Sequence, residues 1–300
     1  MRNHPYFLGI TYSITAFTLW VFVDTTIKLA TEAHLPPYEI AGFFGLVGAL
    51  IISGRALAKR DLHVLLPKNY RAQIILALLS VGCSLCNAIA LKHVPLTSFY
   101  VIIFTSPLII ALLANIFLRE HLGWHNFLII LAGFGGACIA IDPLANHSNG
   151  DWIGYVACFI QALFYSANVI VSRRLTQSET IESLVLFNGG MNALVGLGLA
   201  FIIQSHVVLA VKPLAMLSAS GVLNMIAVAL AYLSVKHAPA SIAAPFHYTQ
   251  IISGAVIGYL IWGDVPTAHL AIGVIIIVLS CLPSRKLSWE CCDEVFCRFC

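Results

Sequence analysis

Ten predominantly apolar runs follow one another along the chain, separated by short polar breaks. They cover residues 7–29, 38–57, 72–91, 95–118, 124–142, 152–172, 183–204, 213–235, 240–262 and 267–283. A helix of about 20 residues spans the hydrocarbon core of a bilayer, which is about 30 Å thick. The breaks contain Pro, Gly, Asn and charged residues, which end helices and form turns. The pattern therefore predicts an all-α polytopic membrane protein with ten transmembrane helices.

The composition supports this interpretation. Of the 300 residues, 60% are hydrophobic and 10% are charged, whereas a soluble globular protein carries about 25% charged residues. Lipid must therefore cover much of the surface. The first run lacks a small-residue cleavage pattern at its end, so we expect a retained helix and not a signal peptide.

The positive charges predict the orientation. If the N-terminus is cytoplasmic, 13 Lys and Arg residues fall on the cytoplasmic side, and only Lys28, Lys92 and Lys212 fall outside. Cytoplasmic loops of membrane proteins carry an excess of Lys and Arg. Both termini are therefore predicted to be cytoplasmic.

An internal repeat divides the chain into two halves. Lys92-His93-Val94-Pro95 recurs as Lys236-His237-Ala238-Pro239, an offset of 144 residues. The same offset gives further pairs, namely Thr105 with Thr249, Ala111 with Ala255, Glu120 with Asp264, and His125 with His269. The predicted units are two five-helix repeats, 7–142 and 152–283, and a Cys-rich cytoplasmic tail, 284–300. Because five is odd, the second repeat must be inverted, as in many secondary transporters.

This arrangement resembles the EamA-type branch of the drug/metabolite transporter superfamily. The Lys-His-x-Pro motif before the fourth helix and the acidic residue after it, Glu120 or Asp264, carry the resemblance, which extends over about 7–283. Many relatives have an Arg in the second helix, where this chain has Phe43-Phe44-Gly45, so no role of that Arg is carried over. The resemblance implies an inner-membrane carrier, most often an exporter of amino acids or related metabolites. Some relatives take up S-adenosylmethionine or nucleotide sugars.

Two helices that the repeat makes equivalent carry polar stripes. The first run contains Ser13, Phe17, Trp20, Asp24 and Lys28, and the sixth contains Gln161, Tyr165, Asn168 and Ser172. Spacings of three and four residues place each set on one helical face. The offset superimposes Asp24 on Asn168. Because polar groups that face lipid are costly, we predict that both stripes face a shared central cavity.

Asp24 and Lys28 have the spacing of a helical ion pair. One interpretation makes Asp24 a coupling or substrate-sensing carboxylate that carries a proton. In the other, both residues lie at the outer interface, where Lys28 extends its ammonium into water. The sequence leaves both open.

The ninth run is predicted to be a weakened helix, because Pro245 removes a backbone donor within the membrane. Interrupted helices at corresponding positions of two repeats point to a binding site, and the equivalent fourth run contains Thr105-Ser106-Pro107. The alternative is that the polar and small residues here only join helices. The predicted cavity residues are Trp20, Asp24, Gln161, Tyr165, Asn168, His247, Tyr248 and Gln250. The coupling candidates are Asp24, Lys28 and His247.

Further polar positions are interpreted as packing hydrogen bonds. They are Ser80, Ser84, Asn87, Asn188, Asn192 and Asn224. Glu120, beside Arg119, is interpreted as a topology and gating anchor. The four cysteines of the tail lack two separated Cys-x-x-Cys pairs, so no zinc site is expected there.

The function predicted from these features is secondary transport by alternating access. The chain lacks His-Glu-x-x-His, Gly-x-Ser-x-Gly and an ATP-binding loop, so we expect neither an enzyme nor an ATP-driven pump. An aromatic and amide lining suits an amphipathic solute of amino-acid size. No cofactor, metal or nucleic acid is expected; protons as coupling ion and a homodimer are left open. The alternatives are an uptake carrier, for example for S-adenosylmethionine, and a non-transporting assembly protein.

Overall fold

The computed structural model describes residues 6–32, 34–94, 96–120, 123–141, 151–203, 211–262 and 268–281. Over these residues the chain forms helices and connecting segments without strands. The α-helices are α1 (Phe7–Glu32), α2 (Pro37–Ala58), α3 (Tyr70–His93), α4 (Leu96–Ile103), α5 (Ser106–Leu113), α6 (Trp124–Ile141), α7 (Trp152–Leu175), α8 (Ile181–Ile202), α9 (Val211–His237), α10 (Ala240–Ala243), α11 (Thr249–Trp262) and α12 (Ala268–Cys281). Asp264 and the tail lie outside the described residues.

Six of the described helices are long and apolar enough to cross a membrane. They are α1, α2, α3, α7, α8 and the part of α9 from Leu214 to His237. Large apolar side chains are exposed on the outer surface, including Phe201 at 85% and Leu260 at 73%, as expected where lipid is the solvent. The prediction of an all-helical membrane protein is confirmed, whereas the count of ten spans stays a prediction.

The fourth and ninth runs are both interrupted, and at equivalent positions. Helix α4 stops before Thr105, and a π-helical turn, Ala114–Leu118, follows α5. Helix α10 gives way to a 3-10 segment, Ala244–Tyr248, before α11 begins. In each repeat a threonine hydroxyl donates to the carbonyl three residues earlier: Thr105 to Ile102 at 2.7 Å, and Thr249 to Phe246 at 2.6 Å. The offset of 144 superimposes these two hydrogen bonds.

The packing of the helices follows a twofold pseudo-symmetry. The main helix pairs are α1 with α9, α3 with α7, α2 with α8, and α6 with α12. The offset converts α1, α2, α3 and α6 into α7, α8, α9 and α12. It therefore turns the α1–α9 pair into the α7–α3 pair, and the reverse. The α2–α8 and α6–α12 pairs are each turned into themselves, as a twofold axis requires.

The α2–α8 contact shows that the repeats are inverted. Gly42 lies against Gly196, and Gly45 lies against Gly189, so the two helices run antiparallel. Gly45 and Gly189 are themselves equivalent under the offset, so the pseudo-twofold axis passes between them. Small residues here allow the two backbones to approach closely.

Replacing Gly189 with Ala should destabilise the protein by about 1–3 kcal/mol, the usual cost of over-packing. The added Cβ would lie 2.8 Å from the Gly45 carbonyl oxygen. Gly190→Ala is the matched control on the same helix, because a Cβ there meets no atom within 4 Å. Thermal unfolding of the purified protein in detergent checks this prediction. Equal midpoints for the two variants would contradict the close approach.

Candidate functional site

A cavity lies between the two repeats and receives side chains from both. It encloses about 180 Å³ of space open to the centre of a water molecule. Seven of the eight predicted residues line it: Trp20, Asp24, Gln161, Tyr165, Asn168, His247 and Gln250. The structure thus places the polar stripes of α1 and α7 on a common cavity. That these residues bind a solute stays a prediction.

Asp24 is buried, with 6% of its surface exposed, and both carboxylate oxygens accept a hydrogen bond. The Asn87 amide donates to Oδ1 and the Tyr100 hydroxyl donates to Oδ2, each at 3.2 Å. Three segments, α1, α3 and α4, therefore meet at this carboxylate. A carboxylate in an apolar bundle needs such donors, because burying an unpaired charge is costly.

Lys28 does not form the ion pair that its spacing from Asp24 suggested. Its ammonium donates to the carbonyl oxygens of Leu91 at 3.0 Å and Val94 at 3.4 Å, and it lies outside the cavity lining. These carbonyls belong to the C-terminal end of α3, where backbone acceptors are unpaired and the helix dipole attracts cations. The Lys28 ammonium therefore bonds the end of α3 and not Asp24.

Tyr100 is a contact of Asp24 that sequence reasoning missed. It lies in the apolar helix Leu96–Ile103, where Thr97 alone is a polar neighbour at helical spacing, too little to mark a polar stripe. The offset of 144 superimposes it on Ala244, so the repeat gives no hint either. The one available signal is general: a buried tyrosine hydroxyl usually finds a hydrogen-bond partner.

Aromatic rings form one wall of the cavity around His247. The imidazole stacks on Phe17 with ring centroids 4.4 Å apart and planes inclined by 15°. Tyr165 lies 5.3 Å from the same ring, and Trp20 lies 6.1 Å from Tyr165. The indole of Trp20 donates to the Asn224 Oδ1 atom at 3.3 Å. A flat apolar group could pack against this wall.

The remaining predicted positions differ in their surroundings. Tyr248 is fully buried outside the cavity lining, and its hydroxyl donates to the Ile130 carbonyl of α6 at 3.2 Å. Asn168 lines the cavity and also ties α7 to α3, because its amide donates to the Leu76 carbonyl at 3.2 Å. Of the positions interpreted as packing, the Asn188 amide donates to the Tyr232 hydroxyl at 2.8 Å.

Six residues of the cavity lining contain a buried polar atom that has no hydrogen-bond partner. The atoms are Asn87 Oδ1, Gln161 Oε1, Asn192 Oδ1, Ser234 Oγ, His247 Nδ1 and Gln250 Oε1. Buried polar atoms in folded proteins almost always have partners, because leaving them unpaired costs free energy. All six residues line one cavity, so a solute or water that enters it could supply the missing partners after small side-chain adjustments.

Glu120 connects the two repeats away from the aromatic wall. Its carboxylate accepts from the Arg173 guanidinium at 3.3 Å, the Ser241 hydroxyl at 3.0 Å and the backbone N–H of Ser241 at 3.1 Å. Arg173 in turn donates to the Val235 carbonyl at 2.6 Å. Glu120, which follows the fourth apolar run of the first repeat, thus caps the start of α10 in the second.

The two-repeat organisation has a counterpart among known families. The sequence model of the EamA-like transporter family matches residues 7–141 and, a second time, residues 152–284. This chain belongs to the EamA-like transporter family. It is therefore a transporter and not an enzyme, and the resemblance seen in its motifs is confirmed.

Individual relatives in this family handle different solutes. The chain is 24% identical over 281 residues to the pseudopaline exporter CntI of Pseudomonas aeruginosa, covering 91% of this chain and 94% of the relative. It is 27% identical over 285 residues to a riboflavin transporter of Rhizobium johnstonii, covering 91% and 87%. An S-adenosylmethionine uptake transporter of Rickettsia bellii is 26% identical over 191 residues, 63% of each chain.

The fold also occurs among solved structures, one of which is a crystal structure. It superimposes with a TM-score of 0.76 at 18% identity, covering 93% of this chain and 98% of that one. At this identity the match supports the arrangement of helices and nothing about the solute.

Tyr100→Phe should reduce transport while preserving the fold, because Asp24 loses one of its two donors. A hydrogen bond to a charged group contributes about 1.5–3 kcal/mol, so we expect a fall of roughly 10-fold or more in transport rate. Thr25→Val is the matched control: it removes a buried hydroxyl that bonds only within α1, outside the cavity lining. Flux measured in proteoliposomes checks this, and equal flux in both variants would contradict it.

Proposed function

We propose that this transporter exports amino acids or related small amphipathic metabolites across the cell inner membrane by alternating access. The observation that carries the proposal is the cavity between inverted repeats, with amide and aromatic side chains from both. An amphipathic solute could satisfy unpartnered polar atoms of the lining and pack its apolar part on the aromatic wall.

The pseudo-symmetry supports the alternating mechanism. Inverted repeats can exchange conformations, which opens a fixed central site first to one side and then to the other. Here the pairs α1–α9 and α3–α7 are exchanged by the axis, so a rearrangement of one pair has an equivalent in the other. The interrupted segments after α4 and α10 supply places where the helices can bend.

Asp24 is the leading candidate for proton coupling. It is the acidic side chain in the described lining of the cavity, and its two donors can reorganise when the carboxylate gains a proton. His247 is the second candidate, because one ring nitrogen, Nδ1, has no partner. Lys28 is the weakest, because its ammonium is already bonded to the end of α3.

An uptake carrier is the alternative function. It is favoured by the relative whose name describes S-adenosylmethionine uptake, and the cavity geometry is compatible with either direction of flux. A non-transporting assembly protein is disfavoured, because unpartnered polar atoms on an internal cavity would serve no purpose there.

Counterflow in proteoliposomes tests the proposal with a panel of amino acids, S-adenosylmethionine and riboflavin. We expect His247→Ala and Gln161→Ala to reduce exchange by about 2- to 12-fold each, the effect of one neutral hydrogen bond. Leu163→Ala is the control, because that side chain is exposed on the outer surface of α7. Efflux from preloaded cells separates export from uptake. Absence of exchange for every solute would overturn the proposed function.

Asp24→Asn should remove any dependence of flux on a proton gradient, because an amide cannot release a proton. His247→Gln, the matched variant of the other candidate, should keep it. The measurement is flux in proteoliposomes with and without an imposed pH gradient. A gradient response in Asp24→Asn equal to that of the parent protein would exclude Asp24 as the coupling group.

A further inference from the structure

We propose that the cavity selects solutes that present a protonated amine, so that amines related to amino acids are preferred over the zwitterionic amino acids themselves. This inference rests on the proposed function and specifies its substrate class. It is drawn from the charge and the hydrogen-bonding character of the cavity lining.

The charge of the lining has one sign. Among the described residues around the cavity, Asp24 is the one side chain of the Asp, Glu, Lys and Arg types. The neighbouring cations Lys28 and Arg173 lie outside the lining and donate to backbone carbonyls. A solute ammonium would therefore find a carboxylate, whereas a solute carboxylate would find no fixed positive charge. In a low-dielectric interior an unpaired charge is strongly disfavoured.

The unpartnered polar atoms of the lining also favour a solute that donates hydrogen bonds. Four of the six are amide oxygens, which only accept hydrogen bonds, and three of them belong to side chains more than nine-tenths buried: Gln161, Asn192 and Gln250. Amide oxygen and nitrogen can be interchanged in a structure, so the orientation needs an independent argument. The nitrogen of Asn87 faces the Asp24 carboxylate, and that of Asn192 faces the Asn188 carbonyl at 2.9 Å. These acceptors fix both nitrogens, so both oxygens are the free atoms.

Several donors of the lining are already engaged. The Trp20 indole is bonded to Asn224, and the Asn168 amide is bonded to the Leu76 carbonyl. An amino-acid carboxylate that bound either of these two donors would have to break an existing hydrogen bond, whereas an ammonium could donate to the unpartnered amide oxygens. The stacked rings of Phe17 and His247, with Tyr165 beside them, can hold an aromatic body next to the amine, and aromatic faces attract cations.

Three solutes with one aromatic body test the inference. Tyramine has the amine, tyrosine adds a carboxylate, and N-trimethyltyramine keeps the charge but has no N–H donor. Binding is measured by calorimetry on the full-length protein in lipid nanodiscs at neutral pH. We expect tyramine to bind at least 10-fold more tightly than tyrosine, and more tightly than the trimethyl analogue. Tyrosine binding as tightly as tyramine would overturn the charge preference, and equal binding of the analogue would overturn the need for N–H donors.

Variants connect the preference to the cavity. Asp24→Asn should abolish the advantage of tyramine over tyrosine. Gln161→Leu should weaken tyramine binding without lowering the thermal midpoint, because it removes an unpartnered oxygen and adds apolar volume. Thr25→Val should change neither affinity. If Asp24→Asn does not fold, the comparison of the three solutes on the parent protein still decides.

The outcomes also separate this inference from the proposed function. Exchange of amino acids in counterflow without tyramine binding would leave the transport proposal intact and overturn the amine preference. Tyramine binding without counterflow of any solute would support the amine preference and overturn transport of this class.

Discussion

The contact between Gly45 and Gly189 fixes the relation of the two repeats, and the rest of the architecture depends on it. In lipid there is no hydrophobic force that drives one apolar helix onto another, so close backbone packing has to hold the bundle together. Because the two glycines are equivalent and their helices antiparallel, the axis between them relates the α1–α9 pair to the α7–α3 pair. The cavity is the space that these exchanged pairs leave at the centre.

Broken helices are the second constraint, because an interrupted backbone inside a membrane must find partners within the protein. At each break the threonine side chain adds a second donor to a carbonyl that its own backbone N–H already bonds: Thr105 to Ile102, and Thr249 to Phe246. The Glu120 carboxylate covers the first N–H groups of α10, which a four-residue helix cannot satisfy internally. The breaks are thus stabilised locally, which leaves the atoms around His247 and Gln250 free for the cavity.

The sequence predicted what depends on local periodicity and failed where tertiary contacts decide. The stripe of α1 follows from helical spacing alone, so Trp20 and Asp24 could be placed on the cavity in advance. The Lys28 ammonium depends on where α3 ends, and the Tyr100 hydroxyl depends on how α4 approaches α1. Neither contact follows from the spacing of residues along one helix.

Tyr248 shows a further limit of periodicity. A 3-10 segment has three residues per turn, so its cavity-facing positions are Ala244, His247 and, one turn on, Gln250. Tyr248 is rotated by about 120° from that face and packs towards α6. An α-helix would rotate Tyr248 by about 100° from His247, so spacing alone leaves its side unsettled, and the contact with α6 decides it.

In both halves a cationic side chain bonds a backbone carbonyl at a helix end, but only the first half has a carboxylate at the position of Asp24. This difference helps to separate structural from functional side chains. Lys28 bonds the Leu91 carbonyl at the end of α3, and Arg173 bonds the equivalent Val235 carbonyl at the end of α9. Each half of the chain therefore places a cationic side chain against the carbonyl at this helix end. Asp24 has no such counterpart, because its equivalent is Asn168. The repeated fold therefore does not require a carboxylate at this position, and this asymmetry supports the proposal that Asp24 serves the cavity.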